Sequence, residues 1–284
     1  MTVEKAALQD SQALVTMDTI RRVREQVAPY IRQTPMVPLA RDASEVGQER
    51  LFLKLDNFQV TGAFKPRAAF AVMLSLTPEE RARGVVLTSS GNFAQAFGYA
   101  GRLMNSPIVV VMLRQSSPYK IKAAKAYGAE VILTDPAEGS DGAILACQKE
   151  YRRNPGAYFY PDQYNNPANW LAHFETTGPE ILEQTGRKIT HFVAGLGTTG
   201  TFTGVGRCLR EYSKSIRLIS MQPSSGFHGL EGLKHMPTAI VPGIYDDTLA
   251  DENIEIAYHF TTCCCEIPSV SMTLAESSEM AWVF

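Results

Sequence analysis

The chain has 284 residues, enough for about two domains of ordinary size. Hydrophobic residues make up 45% and charged residues 20%, which allows a sizeable core and excludes wholesale disorder. The 27 Lys and Arg against 29 Asp and Glu leave a net charge of −2, with no electrostatic footprint for nucleic acid or an anionic membrane.

In chain order, Met1–Asp10 mixes charges with alanine and lacks the apolar core of a secretory signal. Ile20, Val23, Val27 and Ile31 then recur at spacings of three and four, predicting an amphipathic helix that runs on despite Pro29. From Leu51 the pattern alternates. Strand Leu51–Leu55 precedes helix Pro66–Leu76, and strand Val85–Thr88 precedes helix Phe93–Leu103. Strand Ile108–Met112, helix Pro118–Tyr127 closed by Gly128, strand Val131–Thr134 and helix Gly142–Arg152 follow. Tyr158–Asn169 reads as a loop and Ala168–Gln184 as one long helical region. Strand Phe192–Ala194, helix Thr201–Tyr212 and strand Ile216–Met221 come next, and Gln222–Asp251 shows no period.

Such alternation predicts an α/β protein with mainly parallel sheets flanked by helices. A break near residue 160 divides it in two, the N-terminal helix being free to pack on either half; the expected units are a smaller one over 45–160 and a larger one made of 1–44 and 161–256. The longest apolar runs, such as Ile108–Leu113, are too short to span a bilayer, so a cytoplasmic protein is expected. Cys147 and Cys208 lie singly in helical patterns and read as small core residues. Cys263, Cys264 and Cys265 stand in a row without the spacing or second half-site of a zinc centre, so no metal is expected.

Three strand-to-helix turns carry candidate chemistry. Thr61-Gly62-Ala63-Phe64-Lys65-Pro66-Arg67 places Lys65 at a helix start, with Pro66 pushing it out of the helical region. The helix dipole disfavours an ammonium there by about 0.3–1 kcal/mol, and burial would have to supply the rest of a useful pKa depression. A lysine neutral enough to attack a carbonyl can form a Schiff base; on this segment alone an exposed lysine is the simpler reading. Gly195-Leu196-Gly197-Thr198-Thr199-Gly200-Thr201 follows a strand and opens a helix. Its N–H groups and hydroxyls suit a phosphate, although an ordinary tight turn has the same outline. Ser89-Ser90-Gly91-Asn92 offers a similar but weaker cradle for a carboxylate.

Two anion turns and a lysine fit a cofactor bearing both a phosphate and an aldehyde. Here the residues resemble the fold-type II pyridoxal-phosphate enzymes, which share the tryptophan synthase β-like fold, and within them the cysteine synthases of the B type. The run Asp162–Glu211 carries the likeness, Met221–Asp246 continues it, and it extends over about residues 15–256. The resemblance implies pyridoxal 5′-phosphate as cofactor, with Lys65 as Schiff-base lysine and mover of the substrate's α-proton. It implies Gly197, Thr198, Thr199, Gly200 and Thr201 around the cofactor phosphate and Asn92 at the ring's phenolic oxygen. Ser89, Ser90, Gly91 and Gln163 would hold the α-carboxylate of a small amino-acid substrate. The implied reaction is β-elimination of acetate from O-acetylserine, giving an aminoacrylate, then addition of sulfide to form L-cysteine. A homodimer is implied as well.

Two departures point elsewhere. Phe64-Lys65-Pro66 is similar to the serine and threonine dehydratases, and Phe93 follows Asn92 where the synthases carry a threonine. A dehydratase, releasing a 2-oxo acid and ammonia, is therefore the alternative. Beyond Ile256 the likeness stops, and 257–284 lacks the family's closing strand, serine turn and helix. The expectation is an aberrant, frameshifted tail, and with it a catalytically impaired product as a further alternative. Among the remaining residues, His173 reads as packing or hydrogen bonding, and Lys120, Lys122 and Lys125 as a solvated helix face.

Overall fold

The computed structural model describes residues 25–39, 51–89, 91–114, 116–135, 139–153, 156–230, 232–257 and 279–283. The strands are β1 (Met36–Pro38), β2 (Leu51–Lys54), β3 (Val85–Thr88), β4 (Ile108–Leu113), β5 (Glu130–Thr134), β6 (Ile189–Gly195), β7 (Arg217–Pro223), β8 (Glu252–Ile256) and β9 (Glu279–Val283). The helices are α1 (Lys65–Ser75), α2 (Pro78–Arg83), α3 (Asn92–Met104), α4 (Pro118–Ala126), α5 (Gly139–Arg153), α6 (Ala168–Glu175), α7 (Thr177–Gln184) and α8 (Gly200–Tyr212).

The β-branched runs of β3, β4 and β5 form a three-stranded, wholly parallel sheet. Val110 and Met112 of β4 pack with Phe70, Met73 and Phe97 of α1 and α3 on one face. On the other face Val109 and Val111 meet Cys147 of α5. That double coverage explains why β4 is an unbroken apolar run rather than an alternating one. The larger sheet has the order β1-β2-β9-β6-β7-β8, antiparallel at β1–β2 and parallel elsewhere. Phe192 and Ala194 of β6, Phe202, Val205 and Leu209 of α8, and Leu218 of β7 make its core.

Several expectations are corrected. Leu51–Lys54 was assigned with the smaller unit, but β2 pairs with β1 and β9 in the larger sheet. The tail, expected to supply no closing strand, contributes β9 to the middle of that sheet, with Ala281 opposite both Phe52 and Phe192. Residues 258–278, including the three neighbouring cysteines, lie outside the described residues, as do residues 1–24. The N-terminal helix is in its last turn at Val27 and gives way to a turn before Ile31, because Pro29 removes the N–H that continuation needs. The long helix over Ala168–Gln184 is two helices, parted at Thr176 (φ −121°, ψ −68°). Helix α2 was missed, although Thr77 and Glu80 form a reciprocal capping box in which each backbone N–H is satisfied by the other side chain.

Candidate active site

Three segments meet where parallel strands of both sheets end. Helix α1 begins at Lys65 itself, after Phe64 in helical conformation (φ −63°, ψ −16°). Pro66 therefore does not push Lys65 out of the helical region. It takes the second position, where an N–H has no intrahelical acceptor to lose. The side chain of Lys65 is buried, with Nζ 3.4 Å from Thr198 Oγ1 and over the rings of Phe64 (4.8 Å) and Phe93 (5.6 Å). Among the described residues no carboxylate pairs with it. Loss of hydration lowers its pKa to about 8, so a usable fraction is the free amine near neutrality.

The turn between β6 and α8 is tightly built. Leu196 donates its N–H to Met221 O (2.8 Å) and accepts at its carbonyl from Lys234 N (2.8 Å). Thr199 adopts a left-handed conformation (φ +68°), aiming the chain into the start of α8. A Cβ at Gly197 would overlap the carbonyl of Gly232, and one at Gly200 would overlap the amide of Asn169. Thr199 and Thr201 are buried, and the Thr199 hydroxyl has no hydrogen-bond partner among the described residues. An unsatisfied buried hydroxyl at the N-terminus of a 13-residue helix fits an anionic group such as a phosphate.

The turn between β3 and α3 is looser. Gly91 donates its N–H to Ser89 Oγ (3.3 Å), and Asn92 is exposed at the first position of α3. Ser90 lies outside the described residues. Gln163 is buried beside this turn, its Nε2 3.5 Å from Thr88 O, and borders a small hollow with Thr88, Phe93 and Tyr160.

Sequence reasoning missed the residues that join these parts. Asn169 is buried and donates through Nδ2 to Gln163 O (2.7 Å) and Thr198 Oγ1 (3.1 Å), linking Gln163 to the turn between β6 and α8. His173 was expected to pack or hydrogen-bond. It is fully buried between Thr177 (Nδ1, 2.9 Å) and Thr201 (Nε2, 3.3 Å), and burial pushes its pKa down to about 3, keeping it neutral. Behind Lys65 lies an unforeseen ion lattice. Arg67 forks onto Asp56 (Nε–Oδ2 3.0 Å, Nη2–Oδ1 2.9 Å) and onto Glu180 (Nη1–Oε1 2.6 Å, Nη2–Oε2 2.8 Å). The ammonium of Lys54 donates to Glu180 (2.6 Å), Thr34 O (2.7 Å) and Gln184 (3.0 Å). One signal was available, since Arg67 precedes the apolar stretch Ala68–Leu74 and a cation there calls for buried acids.

A lysine with a weakened hold on its proton, facing a glycine- and threonine-rich turn with an unsatisfied buried hydroxyl, suits a cofactor that carries an aldehyde and a phosphate. The chain belongs to the family of pyridoxal-phosphate dependent enzymes, whose model matches residues 27–265. It is 41% identical over 249 residues to a cysteine synthase of Aquifex aeolicus, covering 84% of this chain and 76% of that protein. To cysteine synthase B of Escherichia coli it is 38% identical over 233 residues, covering 80% and 74%. The crystal structure of a cysteine synthase from Entamoeba histolytica superposes with a TM-score of 0.73 at 30% identity, covering 81% of this chain and 72% of that one.

Proposed function

We propose that this protein forms L-cysteine by β-replacement, exchanging the acetate of O-acetylserine (or a similarly activated serine) for sulfide. The observation that carries this is the buried Lys65 beside Thr198, without a carboxylate partner among the described residues, in a chain 41% identical to a cysteine synthase. Pyridoxal phosphate supplies the aldehyde that takes up amines and the electron sink that makes the substrate's α-proton removable. Gly197, Thr198, Thr199, Gly200 and Thr201 would hold its phosphate and Asn92 its phenolic oxygen. Lys65 Nζ would take the aldehyde and then move the α-proton. Ser89, Ser90, Gly91 and Gln163 would receive the substrate carboxylate, while Phe64 and Phe93 keep water from the lysine.

The division into a smaller unit ending near residue 160 and a larger one carrying the phosphate turn belongs to the same proposal, as does a homodimer. So does a cytoplasmic location, which the free, buried thiol of Cys147 suits. Among the described residues no helix is long and apolar enough to cross a membrane.

The dehydratase alternative keeps one support, the phenyl rings of Phe64 and Phe93 around Lys65 where a hydroxyl-bearing wall would suit a synthase. Products decide between them. With O-acetylserine and sulfide the purified chain is expected to yield cysteine and acetate in equal amounts, without 2-oxo acid from serine or threonine. Lys65→Ala should abolish the visible absorption of lysine-bound cofactor and lower turnover by at least about 10³-fold, the loss of base and amine together. An unchanged absorption band in Lys65→Ala would remove Lys65 from this role.

A further inference from the structure

Helix α1 starts with Lys65 and Arg67 in its first turn and no acid. Two cations facing the positive end of the helix dipole are unfavourable there. Arg67 is accommodated because Asp56 and Glu180 reach it from outside the helix, through four hydrogen bonds of 2.6–3.0 Å. Lys54 and Arg67 against Asp56 and Glu180 make a buried group with balanced charge. Of three buried cations near the site, Lys54 and Arg67 thus hold carboxylates, whereas Lys65 holds none among the described residues.

Stability alone is a poor reason for such a lattice, since apolar residues of the same volume commonly serve as well. Its particular property is geometric. A planar guanidinium gripped on two edges by two carboxylates has little freedom to rotate or slide. Asp56 stands just after β2 and Glu180 in α7, so the grip ties the start of α1 to both. Lys65 is two residues away on the same turn, and its amine meets Thr198 of the phosphate turn.

We propose that Arg67 is a positioning residue for Lys65: pinned by Asp56 and Glu180, it sets the rotation of the first turn of α1 and so aims the lysine amine at the phosphate turn. This rests on the proposed role of Lys65 as the amine that takes the cofactor aldehyde. The cofactor-free full-length chain is mixed either with pyridoxal 5′-phosphate, following capture of the aldehyde by absorbance, or with pyridoxamine 5′-phosphate, which has the ring and phosphate but no aldehyde. For Arg67→Lys, capture is expected to slow about a hundredfold, the cost of a misplacement of about 1 Å. Affinity for pyridoxamine phosphate should stay within about threefold of the wild type.

The double variant Arg67→Met with Asp56→Asn keeps the buried charge balanced, guards against loss of folding, and should show the same split. Circular dichroism confirms which variants are folded. Capture at the wild-type rate by either folded variant overturns the proposal, as does a parallel loss of capture and of pyridoxamine phosphate affinity, which a merely structural role would give. Failure of the wild type to capture the aldehyde would instead overturn the cofactor role and this proposal together.

Discussion

Gly195–Thr201 and Ser89–Asn92 each follow the end of a parallel strand, and each opens a 13-residue helix. The first has no room to spare. Gly197 lies against the carbonyl of Gly232, Gly200 lies against Asn169, and Thr199 is buried in a left-handed conformation. The second is open, with Asn92 exposed and the nearest atom to a Cβ at Gly91 being Lys120 Nζ at 3.7 Å. On the roles proposed for the two turns, packing of this kind separates a cradle for a resident group from a loop that admits and releases a substrate. A preorganised anion site needs its donors held before the anion arrives, whereas a loop that serves turnover needs a low cost of movement.

The sharpest way to break that comparison is to add one methyl group to the packed turn. In Gly200→Ala the new Cβ collides with an amide that is itself held by Gln163 and Thr198, so neither side yields cheaply. Overpacking of about 2–3 kcal/mol follows, or roughly a hundredfold loss in affinity for pyridoxal phosphate measured by equilibrium titration. Affinity within threefold of the wild type would mean the turn is as pliant as its counterpart.

The two turns were also unequally legible in the sequence. Gly195–Thr201 stands out because glycines and hydroxyls cluster directly after an apolar strand, and those residue types are what close backbone approach requires. The βα units from Val85 to Arg153 were readable for a similar reason, since each strand and helix pairs with neighbours close in sequence. The larger sheet was only half visible. Its middle strand, Glu279–Val283, pairs with Leu51–Lys54 and Ile189–Ala194, both distant from it in sequence, and no local period announces such a partner. Asn169 and Glu180 escaped notice likewise. A buried polar residue on a helix declares itself only once the group it satisfies is known, and Thr198 and Arg67 lie far away in sequence.

Lys65 stands between the two turns, and its titration reports which of them governs its surroundings. The unfolded chain holds this proton up to the ordinary value of 10.5, while the folded chain releases it at about 8. Over that window the unfolded state binds more protons, so stability of the cofactor-free protein rises with pH. Between about pH 8 and pH 10 the gain is roughly 2 kcal/mol. Denaturant melts of wild type and Lys65→Met across this range should converge as pH rises. Parallel curves would place the lysine in an environment as open as that of Asn92.

Ser89→Ala is the smallest of these perturbations and addresses the open turn directly. The hydroxyl's local partner is the N–H of Gly91 at 3.3 Å, a long hydrogen bond on a half-buried side chain. Its removal should alter stability by no more than about 0.5 kcal/mol, so the melting temperature stays nearly constant. If the hydroxyl also donates to the substrate carboxylate, one charge-assisted hydrogen bond is lost on binding, about 1–2 kcal/mol. KM for the amino-acid substrate then rises about five- to thirtyfold, while kcat changes little, because the bond is made equally in the ground and transition states. Cofactor affinity should change little, since the phosphate turn belongs to the other sheet and Asn92, not Ser89, is the residue of this turn proposed to meet the cofactor. A fall in melting temperature as large as that of Gly200→Ala would show that Ser89–Asn92 is packed like Gly195–Thr201, and the distinction between resident and transient binding would lose its structural basis.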